Sequence, residues 1–232
     1  MIDTVFFDLD GTLLDVKNAQ NKACELLFFN YNFSEKTEIN DFMFFWDKIT
    51  EKYYADFIKY KSTYSEQRIH RIKELFAHYS VPLPSDNALK IYGCYLKEFE
   101  RNWKLFPDVK ENLKKLTRNF QLGIISNGNL KQQLKKLELT GISQLFSSIT
   151  TGEETGFNKP DQEIFRIAMS RLMVKPDQCC FVGDNLEFDI YPCIQLNFRK
   201  VVFINRSDTT LKDESSFFTI YSLSLLEEII HR

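Results

Sequence analysis

Histidine is scarce in this chain: among 232 residues only His70, His78 and His231 occur, and none stands beside another plausible metal ligand. A histidine-centred zinc site or a Ser-His-Asp triad therefore has little support. Cysteine is also sparse. Cys24, Cys94, Cys179, Cys180 and Cys193 form no CxxC pair, and the adjacent pair sits in an apolar, strand-like segment where thiols behave as small hydrophobes rather than reactive groups. Charge of one sign is lacking too. The formal net charge is -2 with both signs interspersed, and no run of Lys or Arg is long enough for a nucleic-acid polymer or a membrane surface. No apolar run approaches 18 residues, and no basic segment followed by an apolar stretch precedes the first strand. The expectation is a soluble, cytoplasmic protein acting on a small molecule.

What is present is a core-forming composition, 44% hydrophobic, with room for one large domain or a core plus an insert. The most informative stretch is Phe6-Phe7-Asp8-Leu9-Asp10-Gly11-Thr12. The apolar run Thr4-Val5-Phe6-Phe7 reads as a strand covered on both faces, where an ionised carboxylate costs several kcal/mol unless compensated. Asp8 therefore requires a cation nearby. Gly11 breaks the strand, which places Asp8 and Asp10 on an irregular loop where one carboxylate can attack while the other moves protons. Asp-Gly is also a common hairpin signal, so a solvated turn stays open at this point.

After this segment, Lys17 to Tyr31, Ile39 to Tyr60, Glu66 to Tyr79 and Asn87 to Trp103 read as helices. Phe42, Phe45, Trp46, Ile49 and Tyr53 keep the spacing of one buried stripe. The four form a helical insert, a small antiparallel bundle, in which 20 of the chain's 34 aromatic residues lie between Phe28 and Phe106. Most of these rings fill the bundle core. Phe44, beside Lys48 and Glu51 on the polar side of its helix, is expected to face a cleft instead.

From Phe106 onward helices and strands alternate: helix Pro107 to Thr117, strand Gln121 to Ile125, helix Leu130 to Leu139, strand Ser147 to Thr151, helix Pro160 to Met173, strand Gln178 to Val182. Helix Phe188 to Leu196, strand Lys200 to Ile204 and a final strand and helix from Phe217 to Ile230 follow. This alternation predicts an α/β fold, a doubly wound, mainly parallel Rossmann-like sheet with the helical segment inserted. Ligands of such sheets bind beyond the carboxyl ends of the strands. Asp8, Ser126-Asn127-Gly128 and Gly183-Asp184-Asn185 each follow a strand directly, so they reach one edge of one sheet.

In this order Asp8-Leu9-Asp10-Gly11-Thr12, Ser126-Asn127-Gly128, Lys159-Pro160 and Gly183-Asp184 with Asp189 resemble the four motifs of the haloacid dehalogenase-like hydrolase superfamily. The insert resembles the helical C1 cap of its subfamily I. Taken singly, each later motif is more often a plain turn or a solvated loop, but four in order make chance agreement improbable. The resemblance implies a Rossmann-like core over residues 1–15 and 105–232 and a cap over 16–104. It implies an aspartyl-phosphate on Asp8, with Asp10 as acid and base. Mg2+ would be held by Asp8, the backbone carbonyl of Asp10 and Asp184. Ser126, the backbone N–H groups of Asn127 and Gly128, and Lys159 would bind the phosphoryl group, with Asp189 and Asn185 supporting from behind.

Two departures touch packing rather than chemistry: Tyr191-Pro192-Cys193 follows Asp189 where the family has small residues, and Asn197 stands where glycine is common. Pro192 fits only near a helix start, and Asn can adopt the left-handed conformation. Dehalogenases of the superfamily lack an aspartate at the position of Asp10, because displacing halide needs no proton donor, so the resemblance implies a phosphatase of small phosphomonoesters. A sugar-phosphate mutase or another phosphotransferase is the alternative within the family. A non-enzymatic phosphoacceptor or binding module is the alternative outside it, and Asp10 and the insert speak against both of those roles. The segment from Gln67 to Phe76 is similar to a cap helix of bacterial pyrimidine 5'-nucleotidases, which points to a nucleoside 5'-monophosphate. Arg68 and Phe44 are then the cap positions to watch, although an exposed helix arginine is the commoner reading of Arg68. Monomer and homodimer both stay open.

Overall fold

In the computed structural model, residues 1–59, 62–84, 88–207, 210–213 and 215–231 are described, side chains of residues 58 and 64 excepted. The chain divides into two compact units, Met1–Val16 with Lys104–Arg232, and Lys17–Trp103.

The first unit is built on a seven-stranded sheet. Its strands are β1 (Thr4–Phe7), β2 (Gln121–Ser126), β3 (Ser148–Thr151), β4 (Cys179–Gly183), β5 (Lys200–Ile204), β6 (Lys212–Asp213) and β7 (Phe218–Ile220). The order is β3-β2-β1-β4-β5-β7-β6, parallel except for β6 against β7. Every residue of β1 and β4 is buried, as expected for strands covered on both faces. Gly123 lets β2 lie against β1, since a Cβ there would meet the Phe6 ring at 2.7 Å. Strand order reverses at β1: the chain moves outward through β2 and β3, then resumes on the other side with β4. The crevice at such a reversal is where these sheets bind ligands.

The helices of the second unit are α1 (Val16–Asn30, which begins one residue earlier), α2 (Ile39–Ile58), α3 (Tyr64–His78) and α4 (Ala88–Arg101). The expected helix residues Tyr60 and Asn87 lie outside the described residues. Phe33 is the centre of the core, with its ring centroid 4.9 Å from Phe42 and 5.0 Å from Phe76. Trp46 is fully buried and donates its indole N–H to the Tyr95 hydroxyl at 3.3 Å. The helical stripe read from sequence thus packs a separate core.

The chain passes between the units on two adjacent segments. The Asp15 N–H donates to the Lys104 carbonyl at 2.9 Å, and the Phe106 N–H to the Leu13 carbonyl at 3.1 Å. Leu14 and Leu105 form an antiparallel bridge between these bonds.

The remaining helices are α5 (Val109–Leu116), α6 (Leu130–Leu139), α7 (Gly152–Thr155), α8 (Gln162–Leu172), α9 (Tyr191–Gln195) and α10 (Leu226–His231). Two sequence expectations are corrected here. The helix expected from Pro160 begins at Gln162, because Asp161 caps it by accepting the Glu163 N–H at 2.9 Å. The helix expected over Phe188 to Leu196 is a π-turn (Leu186–Ile190) running into α9, with Pro192 in the first turn. The two-residue strand β6 and the short α7 were not anticipated. Asn197 takes the left-handed conformation at φ 59°, the role expected of it. Among the described residues no helix is long and apolar enough to cross a membrane.

Candidate active site

The carboxyl ends of β1, β2 and β4 bring the motif residues together. Asp8 directly follows β1, whose buried ladder fixes its backbone: its N–H donates to the Val182 carbonyl at 2.9 Å. Its carboxylate is buried and receives the Lys159 ammonium at 2.6 Å. The same ammonium donates to Asp189 at 2.6 Å. Lys159 is held there by Asn127, whose side-chain amide accepts the Lys159 N–H at 2.6 Å and donates to the Lys159 carbonyl at 2.9 Å. The side chain of Asn127 is therefore engaged by the Lys159 backbone, which leaves its N–H as its offering to a ligand.

Asp184, after β4, accepts the Thr12 hydroxyl at 3.0 Å. Gly11 makes that approach feasible: its φ is +87°, and a Cβ there would stand 2.2 Å from an Asp184 carboxylate oxygen. Asp189 sits in the π-turn with its second oxygen on the Asn185 N–H at 3.1 Å. The Asn185 side chain caps that turn through the Glu187 and Phe188 N–H groups, both at 2.9 Å. Gly183 is required beneath it, since a Cβ would come within 2.5 Å of Asp189.

Asp8, Asp184 and Asp189 offer carboxylate oxygens within 4.8 Å of one another. Burial pushes the Asp8 carboxyl well above its ordinary range; the Lys159 charge opposes this, while Asp189 and Asp184 add to it. Burial, reinforced by Asp189, also raises Asp184, to about 6, against the Thr12 hydroxyl and the Lys159 charge. Burial alone would lower Lys159, but Asp189 and Asp8 hold it above the ordinary lysine value. Two of the three acids thus share one ammonium, and the cluster is short of positive charge. Hard carboxylate oxygens converging on one point suit a divalent ion of the magnesium type.

On the β2 side, Ser126 is buried and its hydroxyl oxygen accepts the Gly128 N–H at 3.3 Å. Two residues that sequence reasoning missed join it from α6. Gln133 donates to Ser126 Oγ at 2.8 Å and to Asp10 at 3.2 Å. Lys136 donates to both Asp10 oxygens, at 2.7 and 2.6 Å. The available signal was a lysine and a glutamine one turn apart on one helix face, which reads equally well as a solvated surface.

Phe44 and Arg68 belong to the helical unit. Phe44 is 72% exposed on α2. Arg68 is half-buried with its guanidinium over the Tyr92 ring at 5.3 Å, so it is not the exposed helix arginine of the commoner reading.

Comparison with known proteins agrees with this architecture. Residues 2–196 match the haloacid dehalogenase-like hydrolases. The chain belongs to that family, and within it is a phosphatase. It is 30% identical over 219 residues to N-acylneuraminate-9-phosphatase of Mus musculus, covering 89% of this chain and 84% of that one. It is 29% identical over 212 residues to ribulose-1,5-bisphosphate 5-phosphatase of Halopiger xanaduensis, covering 88% and 85%. Among solved structures, the magnesium-bound HAD-hydrolase YfnB of Bacillus subtilis superposes with a TM-score of 0.84 at 25% identity over 100% and 99% of the two chains.

Proposed function

We propose that the protein is a magnesium-dependent hydrolase of a small phosphomonoester that works through an aspartyl-phosphate on Asp8. The observation carrying this reading is the cluster of three acids, Asp8, Asp184 and Asp189, two of which hold the buried Lys159 ammonium, beside the Ser126 hydroxyl. Magnesium would be held by the Asp8 and Asp184 carboxylates and the Asp10 backbone carbonyl, and would offset the charge of the approaching phosphate.

An Asp8 oxygen attacks phosphorus, the P–O ester bond breaks, and Asp10 passes its proton to the departing alkoxide. A water molecule then attacks the same phosphorus and gives a proton to Asp10, and the acyl-phosphate P–O bond breaks to restore the Asp8 carboxylate. Lys159, the Ser126 hydroxyl and the Asn127 N–H meet the three phosphoryl oxygens, where charge gathers in a loose transition state, with the Gly128 N–H held on Ser126 Oγ. Asp189 and Asn185 keep Lys159 and the motif turn in place.

The helical unit acts in this reading as the cap that selects the substrate, with Phe44 and Arg68 as its specificity positions. The substrate class begins with nucleoside 5'-monophosphates. The names of the relatives from Mus musculus and Halopiger xanaduensis favour a second class, phosphorylated sugars and sugar acids.

A phosphomonoester panel with magnesium tests the reading. Asp8→Asn is expected to lower turnover by about three orders of magnitude or more while the melting curve stays cooperative. Asp10→Asn, mixed with p-nitrophenyl phosphate and quenched, is expected to gain the mass of one phosphoryl group on Asp8. An Asp8→Asn protein within about a hundredfold of wild type would end the covalent reading.

A further inference from the structure

We propose that Gln133 and Lys136 are positioning residues for Asp10, a buried polar brace on α6 that fixes the Asp10 carboxylate beside the phosphate-binding hydroxyl of Ser126. This rests on the reading of Asp10 as proton donor.

Lysine is abundant on α6, yet Lys131 and Lys135 are exposed, whereas Lys136 is turned inward and only 2% exposed. Burying an ammonium costs several kcal/mol unless an opposite charge meets it in good geometry. Here both oxygens of one carboxylate do so, at 2.6 and 2.7 Å. Stability alone does not explain the choice, because a leucine at a buried site commonly serves as well as an ion pair or better. Position explains it. Asp10 lies on the loop after β1, with its side chain about a third exposed, and an unrestrained carboxylate there would sample several staggered orientations.

Gln133 adds the direction. Its amide has two hydrogens, and one goes to Ser126 Oγ at 2.8 Å, the other to Asp10 Oδ2 at 3.2 Å. A single planar group thereby sets the spacing between the phosphate donor and the acid. The seat of that amide is built into the motif turn: a Cβ on Gly128 would lie 1.9 Å from Gln133 Nε2. Gly128, Ser126 and Gln133 form one fitted set, and Lys136, one turn along the same helix, locks the second oxygen of Asp10. Fixing a proton donor in advance is a recognised source of rate, since a small misplacement costs an order of magnitude or more.

The experiment compares Lys136→Met with wild type on an alkyl phosphate and on p-nitrophenyl phosphate, reading kcat/KM, which reports the first phosphoryl transfer. An alkoxide leaving group needs the Asp10 proton; p-nitrophenolate does not. The expected result is a fall of about 10- to 100-fold for the alkyl ester, a change below about threefold for the aryl ester, and an unchanged inhibition constant for inorganic phosphate. Gln133→Met, which leaves the Lys136–Asp10 pair in place but also frees the Ser126 hydroxyl, is expected to lower the alkyl rate more than the aryl rate and serves, on the ester comparison alone, if Lys136→Met does not fold. Equal losses on the two esters, weaker phosphate inhibition, or an alkyl rate within about threefold of wild type would each overturn the positioning role. A wild-type protein inert on every phosphomonoester would instead overturn the reading of Asp10 itself.

Discussion

Lys159 owes its place to residues far away in the chain. Asp8 lies 151 positions before it and Asp189 lies 30 positions after it, and the Asn127 amide clamps its backbone from both sides. The acids would repel one another without it, and the backbone must let them come close. Gly11 is where the tolerance is least, because its conformation is left-handed and its missing Cβ leaves room for Asp184. Gly11→Ala is expected to push Asp184 aside and to raise the magnesium concentration for half-maximal turnover about tenfold or more; a magnesium titration of the variant checks this. Asp8, Asp10, Ser126, Lys159 and Asp184 were legible in the sequence because each follows a strand or opens a loop in a fixed motif. Gln133 and Lys136 were not, since a helical lysine normally marks a wet face and the partner that turns this one inward stands 126 positions earlier.

At the scale of elements, legibility followed burial. The strands β1, β2, β4 and β5 are apolar and enclosed, and the sequence reading met them within a residue or so at either end. Leu130–Leu139 agreed at both ends, with Asn129 capping through the Gln132 N–H at 3.0 Å. The stretch after Asp184 was read as one plain helix because hydrophobic spacing does not reveal how tightly a helix is wound. There the Asn185 cap and the demands of Asp189 favour the wider π-turn. β6 has two exposed residues and no pattern to read. The start of α3 carries its own signal in Thr63 and Glu66: Thr63 accepts the Glu66 N–H at 3.2 Å, and the Glu66 side chain accepts the Thr63 N–H at 2.7 Å, a reciprocal capping box. Thr63→Ala is expected to cost about 1 kcal/mol in the helical unit. Hydrogen exchange should show it as faster opening of the first turn of α3, with the β1 and β4 amides unchanged.

At the largest scale, the sheet unit is drawn together by long-range contacts that no local pattern announces. Arg206 donates to both Asp108 oxygens, at 2.9 and 2.8 Å, and to the Thr12 carbonyl at 2.6 Å. Asp108 also accepts the Ser222 hydroxyl at 2.8 Å and the Leu223 N–H at 2.6 Å. Burial alone would raise the Asp108 carboxyl, but Arg206, Ser222 and Leu223 hold it below the ordinary carboxylate range. A depressed pKa in the folded state adds stability above the unfolded value near 4, and that stability disappears as pH falls through the folded pKa. Asp108→Asn should therefore lower the urea midpoint at pH 7, and its deficit relative to wild type should narrow as pH falls from about 5 to 3.

The paired segments at Leu13–Asp15 and Lys104–Phe106 carry a further meaning for how this chain tolerates change. Because the insert leaves and rejoins the sheet unit across a single antiparallel bridge, the sheet unit meets it much as it would meet a hairpin turn. Closing such a gap costs little more conformational entropy for a folded insert than for a few residues. The two cores are thus free to accumulate substitutions on separate accounts: what happens at Phe33 or Trp46 need not be compensated at Phe6 or Phe181. With the helical unit as the substrate-selecting cap proposed above, a lineage carrying this architecture could exchange the whole insert and so try new substrates, while the chemistry proposed for Asp8 stays as it was.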